Sequence, residues 1–61
     1  MKDLRHSQLI TVEEVAKRLS VVPRTVRRLI DRRELPAHRI GRTVRISEDD
    51  LERFIRGSRN D

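Results

Sequence analysis

A mainly α domain with a small β-hairpin, in the order helix, tight turn, helix, hairpin, helix, is the fold class this sequence predicts. Three observations point to it. Apolar residues recur at helical spacing in three short runs, Val12 to Leu19, Val26 to Ile30 and Leu51 to Ile55. Only Ser20-Val21-Val22 separates the first two runs. Between the second and third runs lies AHRIGRTVRIS, where Gly41 interrupts apolar residues spaced for a strand pair.

The chain of 61 residues is one domain at most. At this size folding buries roughly 60% of the unfolded surface, so stability is expected to be marginal. There is no room for both a catalytic cleft and a core. Cysteine is absent, so no disulfide or thiolate metal site is expected. No apolar run approaches the roughly 20 residues of a membrane span, and no signal-peptide core is present. These features predict a cytoplasmic protein with no membrane partner.

Residues 1–8, MKDLRHSQ, have no periodicity and, with Leu9, are expected to form a loose N-terminal arm over 1–9. The folded unit is expected over 10–57, with a polar tail over 58–61. The first helix should run from Val12 to Leu19. Thr11 is its N-cap candidate, and Glu14 stands three residues on, at capping-box spacing. Ile10 and Val15 have the spacing of a hydrophobic staple. Val12, Val15, Ala16 and Leu19 share one face, and Lys17 and Arg18 point outward.

A second helix is expected over 23–32. Pro23 suits its first position, where the missing N–H costs nothing. Val26, Leu29 and Ile30 make its buried face. Arg24 and Arg28 lie almost opposite that face on a helical wheel, flanked by Thr25 and Arg27. Its N-cap position falls on Val22, which has no side-chain oxygen. The free N–H groups there need water or an anion such as a phosphate.

Pro36 ends this segment and biases Leu35 toward extended geometry. A hairpin with Gly41-Arg42-Thr43 at its tip would pair Ile40 with Val44 and His38 with Ile46. That register sends Arg39 and Arg45 outward together, a repulsive pair that an anion would relieve. Ser47 then caps a third helix whose first turn carries Glu48, Asp49 and Asp50, matching the helix dipole. Ile46 and Leu51 repeat the staple spacing. Leu51, Phe54 and Ile55 form its buried stripe, and Gly57 marks its end.

Charge is unevenly distributed. The net charge is +5, and residues 23–45 carry eight arginines against Asp31 and Glu34. Residues 46–61 carry three arginines against five acids. A localised basic field attracts polyanions. Two helices joined by a tight turn make a helix-turn-helix, whose second helix enters the major groove. A basic hairpin after it is a wing, so the full reading is a winged helix-turn-helix.

The segment TVEEVAKRLSVVPRTVRRLIDRRELPAHRIGRTVRISEDDLERFI resembles the small excisionase family, also called recombination directionality factors. That family is related to the N-terminal domain of MerR-like regulators, and the likeness is greatest to actinobacterial phage excisionases. The pattern of T-x-E-E-V-A, R-T-V-R-R-L-I, R-I-G-R and D-L-E-x-F-I covers about residues 10–56. The resemblance implies an accessory protein without catalysis or cofactor, acting on double-stranded DNA in a bacterial host cell. Such proteins bind repeated sites, bend the DNA and help a phage integrase excise the prophage. By position, the resemblance implies Arg24, Thr25, Arg27 and Arg28 in the major groove. It implies Arg39, Arg42 and Arg45 on the wing, toward the minor groove or phosphate. Lys17 and Arg18 are further candidates for phosphate contacts. Val22 departs from the polar residue usual before the recognition helix.

The residue types suggest distinct roles. Arg24 and Arg28 can fork onto guanine O6 and N7, and Thr25 can touch a thymine methyl or a phosphate. Arg27 lies to one side of the helix and is better placed for phosphate. An enzyme is disfavoured, because neither His6 nor His38 has a partner at metal-ligand spacing and helix capping accounts for Glu48-Asp49-Asp50. A small winged-helix transcriptional regulator of phage or plasmid genes needs the same groove contacts and stays open. So does a module for an acidic protein partner. RNA binding is disfavoured because Phe54, the one aromatic, sits in a core stripe. Without a long heptad or large apolar face, the chain is expected to be monomeric in solution and to meet other copies on adjacent DNA sites.

Overall fold

A computed structural model describes residues 8–58. Its order is β1 (Leu9–Thr11), α1 (Val12–Leu19), α2 (Pro23–Asp31), β2 (His38–Ile40), β3 (Thr43–Ser47) and α3 (Glu48–Ser58). Three helices with a small antiparallel sheet make the expected winged helix-turn-helix. Most of the expected arm lies outside the described residues, as does His6. Leu9, its last residue, begins β1.

The first helix starts as its spacing predicts. The Thr11 hydroxyl accepts a hydrogen bond from the Glu14 N–H at 3.0 Å. The Glu14 carboxylate does not complete a capping box. It accepts from Arg18 Nε at 3.1 Å, one turn along the helix. The helix ends at Ser20, whose φ of 61° is left-handed. Val21 N–H donates to the Ala16 carbonyl and Ser20 N–H to the Lys17 carbonyl, the paired bonds of a Schellman motif. Ser20 thus fills a position that favours glycine, and the reversed chain leads directly into α2.

A second Schellman motif closes α2. Glu34 N–H donates to the Leu29 carbonyl at 2.9 Å and Arg33 N–H to the Ile30 carbonyl at 3.0 Å. The left-handed residue is Arg33, with φ 62°. This turn drives Leu35 into the core, where it is only 1% exposed. Its place before Pro36 suggests extended geometry and conceals that burial. Leu35 joins Val12, Val15, Ala16, Val26, Ile46 and Leu51 in one buried cluster.

The hairpin register differs from the sequence expectation. His38 pairs with Arg45, Arg39 with Val44, and Ile40 with Thr43. The loop is therefore the two residues Gly41-Arg42, with no third residue at the tip. Gly41 has φ 63° while Arg42 is not left-handed, the pattern of a type II′ turn. The Thr43 hydroxyl donates to the Ile40 carbonyl at 2.7 Å and helps close it. A one-residue slip moves a strand's side chains to the other face. Arg39 and Arg45 accordingly lie on opposite faces and do not oppose each other. Ile40 is left 52% exposed, and His38 is exposed as well.

β3 lies between β1 and β2. Its central position follows from Ile46, fully buried and paired with Ile10 on β1. The helix α3 leaves β3 without a loop. Ser47 Oγ accepts from Asp50 N–H at 3.0 Å, the expected cap. Leu51 is buried and Phe54 partly so, but Ile55 is 39% exposed and falls off the stripe. The helix continues through Gly57 to Ser58, so Gly57 does not stop it.

Candidate nucleic-acid interface

The geometry of α2 is set by Val26, which is fully buried. At 3.6 residues per turn, Arg24 and Arg28 project roughly 160° from it, and both are exposed. Arg27 and Thr25 leave the helix on opposite flanks. Arg27 faces the wing. It lines a small depression of about 200 Å³ with Arg42, Thr43, Val44 and Arg45, and a second one with Arg39. The crevice between α2 and the wing thus has arginines on both sides, with Glu13 and Asp31 also on its walls. Thr25 is half-buried on the other flank.

The start of α2 carries no side-chain cap, and Val22 is 60% exposed. Thr25 N–H turns back to the Val22 carbonyl at 2.9 Å. No acid lies in the first turn. The helix dipole there is left open to an external anion.

The wing residues fall into two groups. Arg39 and Arg42 are exposed and border the crevice. Arg45 is half-buried at the middle of the sheet, between Thr11 and His38. Its guanidinium donates to the Val44 carbonyl at 3.1 Å. Arg45 therefore has a shorter reach than Arg42 at the tip.

The described arginines of α1 and α3 are held by acids. Arg18 reaches Glu14 on its own helix and Glu48 on α3, each at 3.1 Å. Hydrogen bonds to Glu14 and then Glu48 hold its guanidinium above the ordinary arginine value. Arg56 pairs with Glu52 at 3.2 Å and Arg53 approaches Asp50 at 3.8 Å. Such exposed pairs add little stability, but they occupy the cations. By contrast, Arg24, Arg27, Arg28, Arg32, Arg33, Arg39, Arg42 and Arg45 have no ion pair among the described residues. Lys17 is exposed and equally unpaired. The two arginines that reading the sequence did not single out are Arg32 and Arg33. The stretch DRRELP contains no glycine to mark the left-handed turn that redirects the chain there.

The acidic cluster after Ser47 serves the helix start, with Glu48 also bridging to Arg18. His38 Nε2 lies 3.9 Å from Asp50. Among the described residues, no group of three His, Asp or Glu is arranged to hold a metal ion. None of the described helices is long and apolar enough to cross a membrane.

This arrangement defines a small DNA-binding domain, and comparison with known proteins agrees. The chain belongs to the helix-turn-helix domain family, whose model matches residues 9–59. It is also similar to the uncharacterized protein YvgK of Bacillus subtilis (strain 168), with 48% identity over 44 residues. Those residues are 72% of this chain but 14% of YvgK, so the chain spans only a small part of that relative's length. No solved structure matches. The fold and the family together define a helix-turn-helix DNA-binding domain.

Proposed function

We propose that the chain is a sequence-specific DNA-binding and DNA-bending accessory protein of the excisionase kind, which directs a partner integrase toward excision. One observation carries this reading. The arginines of α1 and α3 are paired with acids, while those of α2, of the turn after it (Arg32 and Arg33) and of the wing have no ion pair among the described residues. Leaving eight cations unneutralised costs self-repulsion unless a polyanion is the partner.

In this reading α2 enters the major groove. Arg24 and Arg28 read guanine, and Thr25 meets a thymine methyl or phosphate on its flank. Arg27 and Arg39 grip the phosphate strand that runs through the crevice. Arg42 reaches the minor groove from the wing tip, and Arg45 supports it from the sheet. Lys17 contributes a peripheral phosphate contact. Arg18, tied to Glu14 and Glu48, holds α1 to α3 instead. No catalytic step or cofactor enters. Neutralising phosphates on one flank favours bending, at a deformation cost of order 1–6 kcal/mol. Copies on adjacent sites would add their bends.

Footprinting on the DNA flanking the chain's own gene tests the proposal. Protection of several evenly spaced direct repeats, with bending and stimulated excision by a neighbouring integrase, is the expected result. Protection of a single promoter-proximal site without bending would show a transcriptional regulator in its place.

A further inference from the structure

Arg33 has the backbone conformation that an L side chain adopts at a cost. Its φ is 62°, at the turn that closes α2. Glycine is the residue that sits there without strain. A left-handed non-glycine position carries backbone strain, which weighs heavily in so small a domain. Nothing within the fold requires the side chain. Arg33 is exposed and has no ion pair among the described residues. The motif is closed by backbone bonds that glycine would make equally well.

Its surroundings supply a reason for the arginine. Arg33 and Arg39 line one shallow depression of about 480 Å³, floored by Ile30, Leu35, Pro36 and Val44. The depression continues the α2–wing crevice beyond the C-terminal end of α2. That end carries the partial negative charge of the helix dipole and would repel a phosphate unless cations stood over it. With nine residues, α2 is roughly 13 Å long, close to the 12 Å or so of a major groove. A helix of that length laid across the groove would bring one end to each wall, so a cation at its C-terminal end is placed to meet phosphate there.

We propose that Arg33, together with Arg39, forms a second phosphate clamp at the C-terminal end of α2. The clamp grips the DNA backbone on the flank opposite the α2 N-terminus. The inference rests on DNA binding by this face and adds a contact that neither the helix nor the wing supplies alone. The clamp holds phosphate and does not read bases, so it acts on every sequence.

Arg33→Gly tests it, because the change removes the guanidinium and the backbone strain together. The full chain and the variant are titrated with a short mixed-sequence duplex at several salt concentrations. Expected for Arg33→Gly are a melting temperature no lower than wild type and roughly tenfold weaker binding. The slope of log K against log salt should be shallower by about 0.9. Arg33→Lys should stay within about threefold of wild type, since a phosphate accepts a point charge. Arg33→Asn, which tolerates the left-handed region, should weaken binding as the glycine variant does. Wild-type affinity and slope in Arg33→Gly, with normal binding by the unmodified chain, would overturn the clamp alone. A wild-type chain that does not bind the duplex would instead remove the DNA reading beneath it.

Discussion

Ile10 lies directly opposite Ile46 across the β1–β3 pair, and each immediately precedes a helix N-cap. The two helix starts, Thr11 and Ser47, thereby stand at opposite ends of one short ladder, Thr11 paired with Arg45 and Ser47 with Leu9. Glu48 N–H extends the pairing by donating to the Gln8 carbonyl at 2.8 Å. Through this contact the sheet positions α1 and α3 together, and α1 in turn positions α2. The exposed arginine face of α2 thus depends on residues buried in the core.

Ile46→Ala should therefore cost about 2–5 kcal/mol. A domain of this size holds only a few kcal/mol in total, so the variant should be largely unfolded. Leu35→Ala should cost a similar amount, and more than Leu29→Ala, because Leu35 is buried and Leu29 only partly so. Urea melts followed by circular dichroism would rank the three. Equal costs for Leu29 and Leu35 would contradict the packing described.

Val22→Ser should stabilise the domain by about 0.5–2 kcal/mol. It supplies the missing side-chain acceptor at the start of α2. A thermal melt is sufficient to see the gain. A loss of stability would mean that the exposed valine makes a contact worth more than a cap.

Binding should weaken steeply with salt. If about six phosphates are neutralised, the slope of log K against log salt is roughly −5. Fluorescence anisotropy from low to moderate salt measures it. A flat response would rule out the arginine face as the binding surface.

Arg24→Ala and Arg28→Ala should each cost about 1–3 kcal/mol on the specific site and much less on random DNA. Competition titrations with both duplexes separate the two quantities. Equal losses would reassign these residues to phosphate.

Arg42→Ala should reduce both affinity and bend angle while leaving the major-groove preference unchanged. The residue stands at the tip of a two-residue turn, exposed and beyond the sheet. Circular-permutation gel shifts on wild-type and variant complexes decide it. An unchanged bend with an altered base preference would make the wing a reader of sequence.

Local rules were enough for much of this protein. Thr11 and Ser47 announce helix starts because a short side-chain oxygen three residues before a free N–H can bond only there. Pro23, the apolar periodicity and the central arginine block place α2 and its exposed cations in the same way. Tertiary structure decided the rest. The hairpin register turned on whether the tip held two residues or three, and only the three-residue tip gives an apolar pair, Ile40 with Val44, so the local pattern pointed away from the observed pairing of Ile40 with Thr43. Pairing with β1 and burial of Ile46 select one. The third strand was not legible because Leu9–Thr11 is too short to show a period and gains its partners only from β3. The left-handed turn at Arg33 has no glycine to mark it, so it emerged only once the chain had to return Leu35 to the core. In each case a contact between residues far apart in the chain outweighed a weak local preference.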